Sequence, residues 1–298
     1  MSKGPLRIAP TGARVRTATL VLALGLSLLT GPLARSEGTA TEMTLAEIEA
    51  CASGNLPDRA GVIGFQVDAV DRTGAVTQSK AELRWRKPED EGMRVMLVVS
   101  EPARTAGTAL LIVDRESDDP EFFVSLPEMK KVRKVRSKRM RGPVLGTDFS
   151  YEDLDRLRAP LSKAPLELIG SERLAGGPAW ILETIPESGR GSQYMRVLTF
   201  IDQQSCLPIR IDLFEPGRDG APRLRKQLVA PQTEIRPAEV SSKARLPHEF
   251  VMKDLQRETS TIVRIDRFES SSDLPEEDFT RAALAAESKA AQPVAAPN

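Results

Sequence analysis

Histidine and cysteine are scarce in this chain of 298 residues, which holds one His and two Cys. One His argues against a His-rich metal site and against a Ser-His-Asp relay with a spare base. Two Cys exclude a zinc ribbon, an iron–sulfur cluster and a scaffold stapled by several disulfides. The nucleophile-elbow, phosphate-loop and dinucleotide fingerprints (GxSxG, GxxxxGK[ST], and GxGxxG after a strand) are missing. No apolar run approaches the roughly 20 residues of a membrane-spanning helix. What is present is a globular composition, 28% charged and 40% hydrophobic, at a length that suits one large domain or two small ones.

The N-terminus carries Lys3, Arg7, Arg14 and Arg16 with no acid, then the apolar run Ala18 to Leu29, broken by Gly31 and Pro32. A basic start, a short apolar core and small residues make a secretory signal, with cleavage expected before Glu37. An uncleaved anchor is the alternative. Without the five basic residues of 1–36 the chain holds 37 basic against 42 acidic residues, a net of −5. The expected compartment is the periplasm, where Cys51 and Cys206 are permitted to pair. The neighbours of Cys51 in a predicted helix favour a buried free thiol instead.

Helical signals lie mostly near the ends. Thr44-Leu-Ala-Glu47 is a capping box ahead of an amphipathic helix over 44–53. Pro275-Glu-Glu-Asp278 opens a helix expected to run to about 286, with a loose tail from Glu287. Ser150 or Asp148 caps a short helix from Tyr151 to Leu157. Between these the chain reads as roughly eleven strands. Turn signals separate them closely, among them Arg72-Thr-Gly74, Ala175-Gly-Gly-Pro178 and Pro216-Gly-Arg-Asp-Gly220. That pattern favours a mainly β domain over 37–286, one large curved antiparallel sheet or an unclosed barrel.

Glu152, Asp153 and Asp155 form an acidic cluster that suits a divalent cation or, as favoured here, the first turn of a helix. His248 follows Pro247 in a predicted loop with no nucleophile nearby. The densest charge feature is Lys130 to Arg141, in which eight of twelve residues are basic. Export, the acidic remainder and the lack of interleaved aromatics argue against nucleic acid. Two readings stay open for this run. One is a solvated strand and loop. The other is docking of an anionic membrane or acidic partner through Lys130, Lys131, Arg133, Lys134 and Arg136.

An antiparallel sheet that stays open can hold an apolar cavity on its concave face. The alternating residues Met93, Val95, Leu97 and Val99 suit its wall, with Leu111, Phe122, Val124, Leu126, Trp180, Leu182, Leu198, Phe200, Ile209 and Ile211. Alternation alone does not separate such a wall from an ordinary filled core, which is the favoured reading for any single residue. Such a cavity suits acyl chains, since burying about fifteen methylenes yields on the order of 10 kcal/mol before ordering costs.

The stretch Phe122-Phe-Val-Ser-Leu-Pro-Glu-Met-Lys-Lys-Val-Arg-Lys-Val135 and the block Gly146-Thr-Asp-Phe-Ser-Tyr-Glu-Asp-Leu154 resemble the LolA-like outer-membrane lipoprotein-sorting family. So do Leu246-Pro, Thr261-Ile-Val-Arg-Ile-Asp266 and Leu274-Pro. Ser125 stands where that family commonly has Tyr. The resemblance implies an unclosed antiparallel barrel lidded by short helices. It also implies a periplasmic carrier of lipid or lipoprotein acyl chains, with no catalysis and no cofactor. A resistance-nodulation-division type exporter or an outer-membrane acceptor is its implied partner. Asp148, Phe149, Tyr151 and Asp153 then belong to a structural loop or lid. The alternative is a non-catalytic scaffold that docks an export pump or envelope complex. A hydrolase is the third reading.

Overall fold

The computed structural model describes residues 43–291 apart from 55–59, 88–91, 116–117, 129–130, 137–138, 159–160, 162–164, 187–191, 239–243 and 272–273. The expected leader and the final seven residues lie outside the described residues. The described chain begins with α1 (Leu45–Gly54). The first strands are β1 (Ala60–Val70), β2 (Val76–Arg86), β3 (Arg94–Glu101), β4 (Ala109–Arg115), β5 (Asp118–Ser125) and β6 (Arg133–Lys134). Helix α2 (Tyr151–Arg158) leads to β7 (Leu166–Leu174), β8 (Gly177–Thr184), β9 (Arg196–Asp202), β10 (Pro208–Pro216) and β11 (Pro222–Val229). A short ribbon of β12 (Ile235–Pro237) and β13 (Arg245–Pro247) precedes β14 (Glu249–Asp254), β15 (Thr259–Ser270) and α3 (Arg281–Ala290).

Thirteen of these strands form one antiparallel sheet in the order β6-β5-β4-β3-β2-β1-β15-β14-β11-β10-β9-β8-β7. β6 and β7 are its free edges, so the sheet is not closed into a barrel. Strand β15 pairs with β1 on one side and β14 on the other, which joins the N-terminal and C-terminal hairpins into one surface. Such long-range pairing leaves no trace in local spacing. The expected mainly β architecture, one large antiparallel sheet left open, is the one observed.

Both faces of the sheet are covered in places. On β3, Val95, Leu97 and Val99 belong to one apolar cluster, and Met96 and Val98 pack under α3 with Leu111, Phe123, Phe279 and Leu284. That double burial explains why β3 is apolar at consecutive positions rather than alternating cleanly. The β12–β13 ribbon covers the same outer side further along, where Ile235 meets Ala179, Phe200 and Ile209. Helices α1 and α2 lie on the inner face.

Local chemistry sets the helix starts. The Thr44 amide donates to the Glu47 carboxylate at 2.7 Å, and the Glu47 amide donates back to the Thr44 hydroxyl at 3.3 Å, as the capping box requires. The C-terminal helix departs from its expected course. Glu276–Phe279 is a 3-10 turn, Thr280 is extended, and its hydroxyl accepts from the Ala283 amide at 3.1 Å to start α3. The helix then runs to Ala290, beyond the expected end near 286. Buried Ser288 donates to the Gly107 carbonyl at 2.5 Å, so 287–290 is a packed turn rather than loose tail.

Candidate binding cavity

The inner faces of β1–β4 and β15 wall a cavity of about 1000 Å³. β1 supplies Ile63, Phe65 and Val67, β2 supplies Ala81, Leu83 and Trp85, and β15 supplies Val263 and Ile265. Met93, Val95, Leu97 and Val99 line it from β3 and the residue before it, with Leu110 and Ile112 from β4 and Leu126 just beyond β5. The opposite wall is the segment from Val144 to Leu157, through Leu145, Phe149 and Leu154. Trp85 sits directly over Gly61, its cross-strand partner. A Cβ at Gly61 would come within 2.3 Å of that indole, so glycine is what lets the ring lie flat on the strand.

The segment facing the sheet is fixed by a buried polar network. The Ser150 amide donates to the Asp153 carboxylate at 2.7 Å, and the Asp153 amide donates to the Ser150 hydroxyl at 3.2 Å. The acid thus closes a capping box at the start of α2. The same carboxylate accepts from Lys226 Nζ at 2.7 Å and from the Tyr194 hydroxyl at 2.6 Å. Lys226 also donates to the Asp148 carbonyl at 2.7 Å. The Asp148 carboxylate accepts from Thr261 at 2.9 Å and from Thr259. Burial pushes the Tyr194 phenol far above its usual value, and the adjoining Asp153 charge and hydrogen bond add to the shift. Burial also raises Tyr151, whose ring meets Phe122 edge-on at 5.8 Å; nearby Arg139 opposes that shift.

Asp153 is therefore a structural anion with a paired cation, which corrects the cation-site alternative for the acidic cluster. Glu152 is likewise engaged, accepting from the Gln193 amide at 3.0 Å and pairing with Arg156 at 3.1 Å. Among the described residues no group of acids, His and Cys is arranged to hold a metal ion. His248 is placed at the β13–β14 corner, its amide on the Glu234 carbonyl at 2.8 Å, and it does not line the cavity.

The expected wall residues divide by location. Met93, Val95, Leu97, Val99 and Leu126 line the cavity, and Phe122 and Val124 belong to the adjoining cluster beneath α2. Leu111 faces α3 on the other side of the sheet, and Leu198, Phe200 and Ile209 lie under the β12–β13 ribbon. Trp180 and Leu182 are covered by α1, and Ile211 is packed against Phe149 and Tyr194. The physical reason is shared: each of these strands is apolar because something else covers it. Of the loop residues, Phe149 reaches the cavity, and Asp148, Tyr151 and Asp153 hold the segment in place.

β1, β2 and β15 are the part of the wall that was not anticipated. The inward positions of β2 read Thr77, Ser79, Ala81, Leu83, Trp85 between Gln78, Lys80, Glu82, Arg84 and Arg86. That alternation is a strand signal with one apolar side, and it is where the sequence carries the missing wall.

Cys51 and Cys206 form a disulfide, with Cα atoms 5.8 Å apart and 155 residues of intervening chain. This corrects the free-thiol expectation. Ile48 of α1 is buried against Trp180, Leu182 and Ile201, which lays the helix beside the β9–β10 turn. Cys206 occupies that turn at φ 54°. Lys131, Arg133, Lys134 and Arg136 are exposed, with Lys134 paired to Glu121 at 2.5 Å; Lys130 lies outside the described residues. From the same run Val135 packs into the inner-face cluster and Val132 against the cluster under α3.

A family model described as an uncharacterized protein matches residues 91–286. The chain belongs to that family. The match runs from just before β3 into α3 and includes the Asp148–Asp153 network. No curated protein matches the chain. Solved structures give the fold as LolA-like. A DUF1329 family protein from Desulfovibrio piger superposes with a TM-score of 0.71 at 18% identity, covering 80% of this chain and 96% of that one. A domain described as an outer membrane lipoprotein-sorting protein, from Vibrio parahaemolyticus, gives 0.68 at 21% identity, covering 80% and 97%. A LolA superfamily protein from Nitrosomonas europaea gives 0.62 at 17% identity, covering 81% and 99%. Among the described residues no helix is long and apolar enough to cross a membrane.

Proposed function

We propose that the protein is a periplasmic, non-catalytic carrier or binding protein for a lipid, a lipoprotein acyl chain or a similar amphiphile. The observation that carries this reading is the cavity of about 1000 Å³ with its largely aliphatic and aromatic lining. It lies at the top of the size range of small-molecule sites, and most of its wall is strands held in one sheet. A hydrocarbon chain gains about 0.8 kcal/mol for each methylene it buries there. The LolA-like fold supports the same reading, as does the exported character expected from residues 1–36. The exposed cations Lys131, Arg133, Lys134 and Arg136 serve, in this reading, to hold the carrier against an anionic membrane or an acidic acceptor while cargo passes.

Solvent extraction and mass spectrometry of the purified protein test the proposal, with displacement of a fluorescent fatty acid as the second measurement. A stoichiometric amphiphile, or saturable displacement, is the expected result. Absence of both leaves the alternative, a scaffold that docks an export pump or envelope complex.

A further inference from the structure

The cavity changes character along its length. On β2 the inward side chains pass from Thr77, exposed, through half-buried Ser79 to buried Ala81 and Trp85. The β3–β4 turn lies at the Thr77 end, because Lys80 pairs in register with Glu101. That turn adds Arg104, Thr105 and Thr108 to the lining. Four of the lining hydroxyls and its guanidinium therefore lie toward the Thr77 end, and the buried indole lies toward the other.

Charge is equally one-sided. Among the described residues the lining contains two cations, Arg104 and Lys87, and no carboxylate. Among the described residues Arg104 has no acidic partner, and its neighbour Glu101 is paired with Lys80 at 3.1 Å. Lys80 takes the opposite side of β2 from Ser79, so that pair belongs to the outer surface. Lys87 is exposed at the far end, beyond Trp85, with no hydroxyl side chain beside it on β2.

We infer that the cargo is a single-chain or few-chain amphiphile with one anionic headgroup, a carboxylate or a phosphate, bound head-outward. The headgroup sits between Arg104 and the hydroxyls of Thr77, Ser79 and Thr105, and the hydrocarbon points toward Leu83 and Trp85. This inference rests on the carrier reading and adds the headgroup class and the direction of insertion. Arg104 offers donors that fit either anion, and the hydroxyls complete the shell.

The test compares sixteen-carbon probes below their micelle concentrations: hexadecanoate, hexadecyl phosphate, hexadecanol and hexadecyltrimethylammonium. The anions are expected to bind at least ~10-fold tighter than the alcohol, and the cation weakest. Arg104→Gln should remove that advantage and leave the alcohol unchanged, whereas Lys87→Gln should change neither. A second measurement reads direction. In a Trp180→Phe background, where Trp85 is the remaining indole, a nitroxide near the methyl terminus of a fatty acid should quench more than one near the carboxylate.

Equal binding of alcohol and acid overturns the inference, as does loss of the preference in Lys87→Gln or the reverse order of quenching. Inorganic phosphate binding alone as tightly as hexadecyl phosphate would make this a free-anion site and overturn it too. In the first three cases the carrier reading survives, because a hydrocarbon chain is still bound. Failure of every probe to bind instead overturns the carrier reading itself.

Discussion

At the scale of residues, the account turns on a few buried polar groups that hold the wall opposite the sheet. Asp153 and Lys226 are both almost fully buried, at 1% and 7% side-chain exposure. Removing one partner of such a pair strands the other charge. Lys226→Met is expected to lower unfolding stability by about 3 kcal/mol in urea melts, and Lys226→Met with Asp153→Leu to recover part of that loss. Tyr194 adds a pH dependence. Its phenol titrates above the ordinary 10.0 in the folded state, so between those values the folded chain keeps a proton that the unfolded chain releases. The contribution is complete below pH about 10 and declines as pH rises past it. Tyr194→Phe should flatten the loss of stability measured above pH about 10. The sequence disclosed the acidic turn but not these partners. Lys226 is 73 residues from Asp153 and Tyr194 is 41, and such pairings are set by the sheet rather than by spacing.

At the scale of elements, the helices were legible because their signals are local. Thr44 and Glu47, and Ser150 and Asp153, each close a box across one turn. The C-terminal helix differs from its expected course at both ends: Thr280 caps it five residues after Pro275, and buried Ser288 holds its last turn against Gly107. Strand existence was legible from alternation, but strand neighbours were not. Nothing in β1 announces that β15 lies beside it, so alternation points to β8–β10 as well as to β3–β5 for the cavity wall. Covering elements decide the rest: α1, α3 and the β12–β13 ribbon each occupy apolar strand faces that read like cavity wall. The disulfide is the sharpest case, with 155 residues between its cysteines. It ties α1 to the sheet, and closing so long a loop constrains the unfolded chain strongly. Cys51→Ser with Cys206→Ser is expected to cost about 2–5 kcal/mol, seen as a lower melting temperature, and reductant should reproduce the shift in the native protein.

At the scale of the whole molecule, the question is whether the inner face is a site or merely a core. A filled core and a vacant cavity answer differently to added bulk. Inserting side-chain volume into packed interior costs about 1–3 kcal/mol, while filling a vacant space leaves stability nearly unchanged. Ala81 is buried on the cavity wall, opposite Val99. The most direct measurement is amphiphile affinity and unfolding stability of Ala81→Phe with Leu97→Phe, read side by side against the unsubstituted protein. The account predicts stability within about 1 kcal/mol and affinity for hexadecanoate reduced at least ~10-fold. Marked destabilisation with affinity untouched would contradict it.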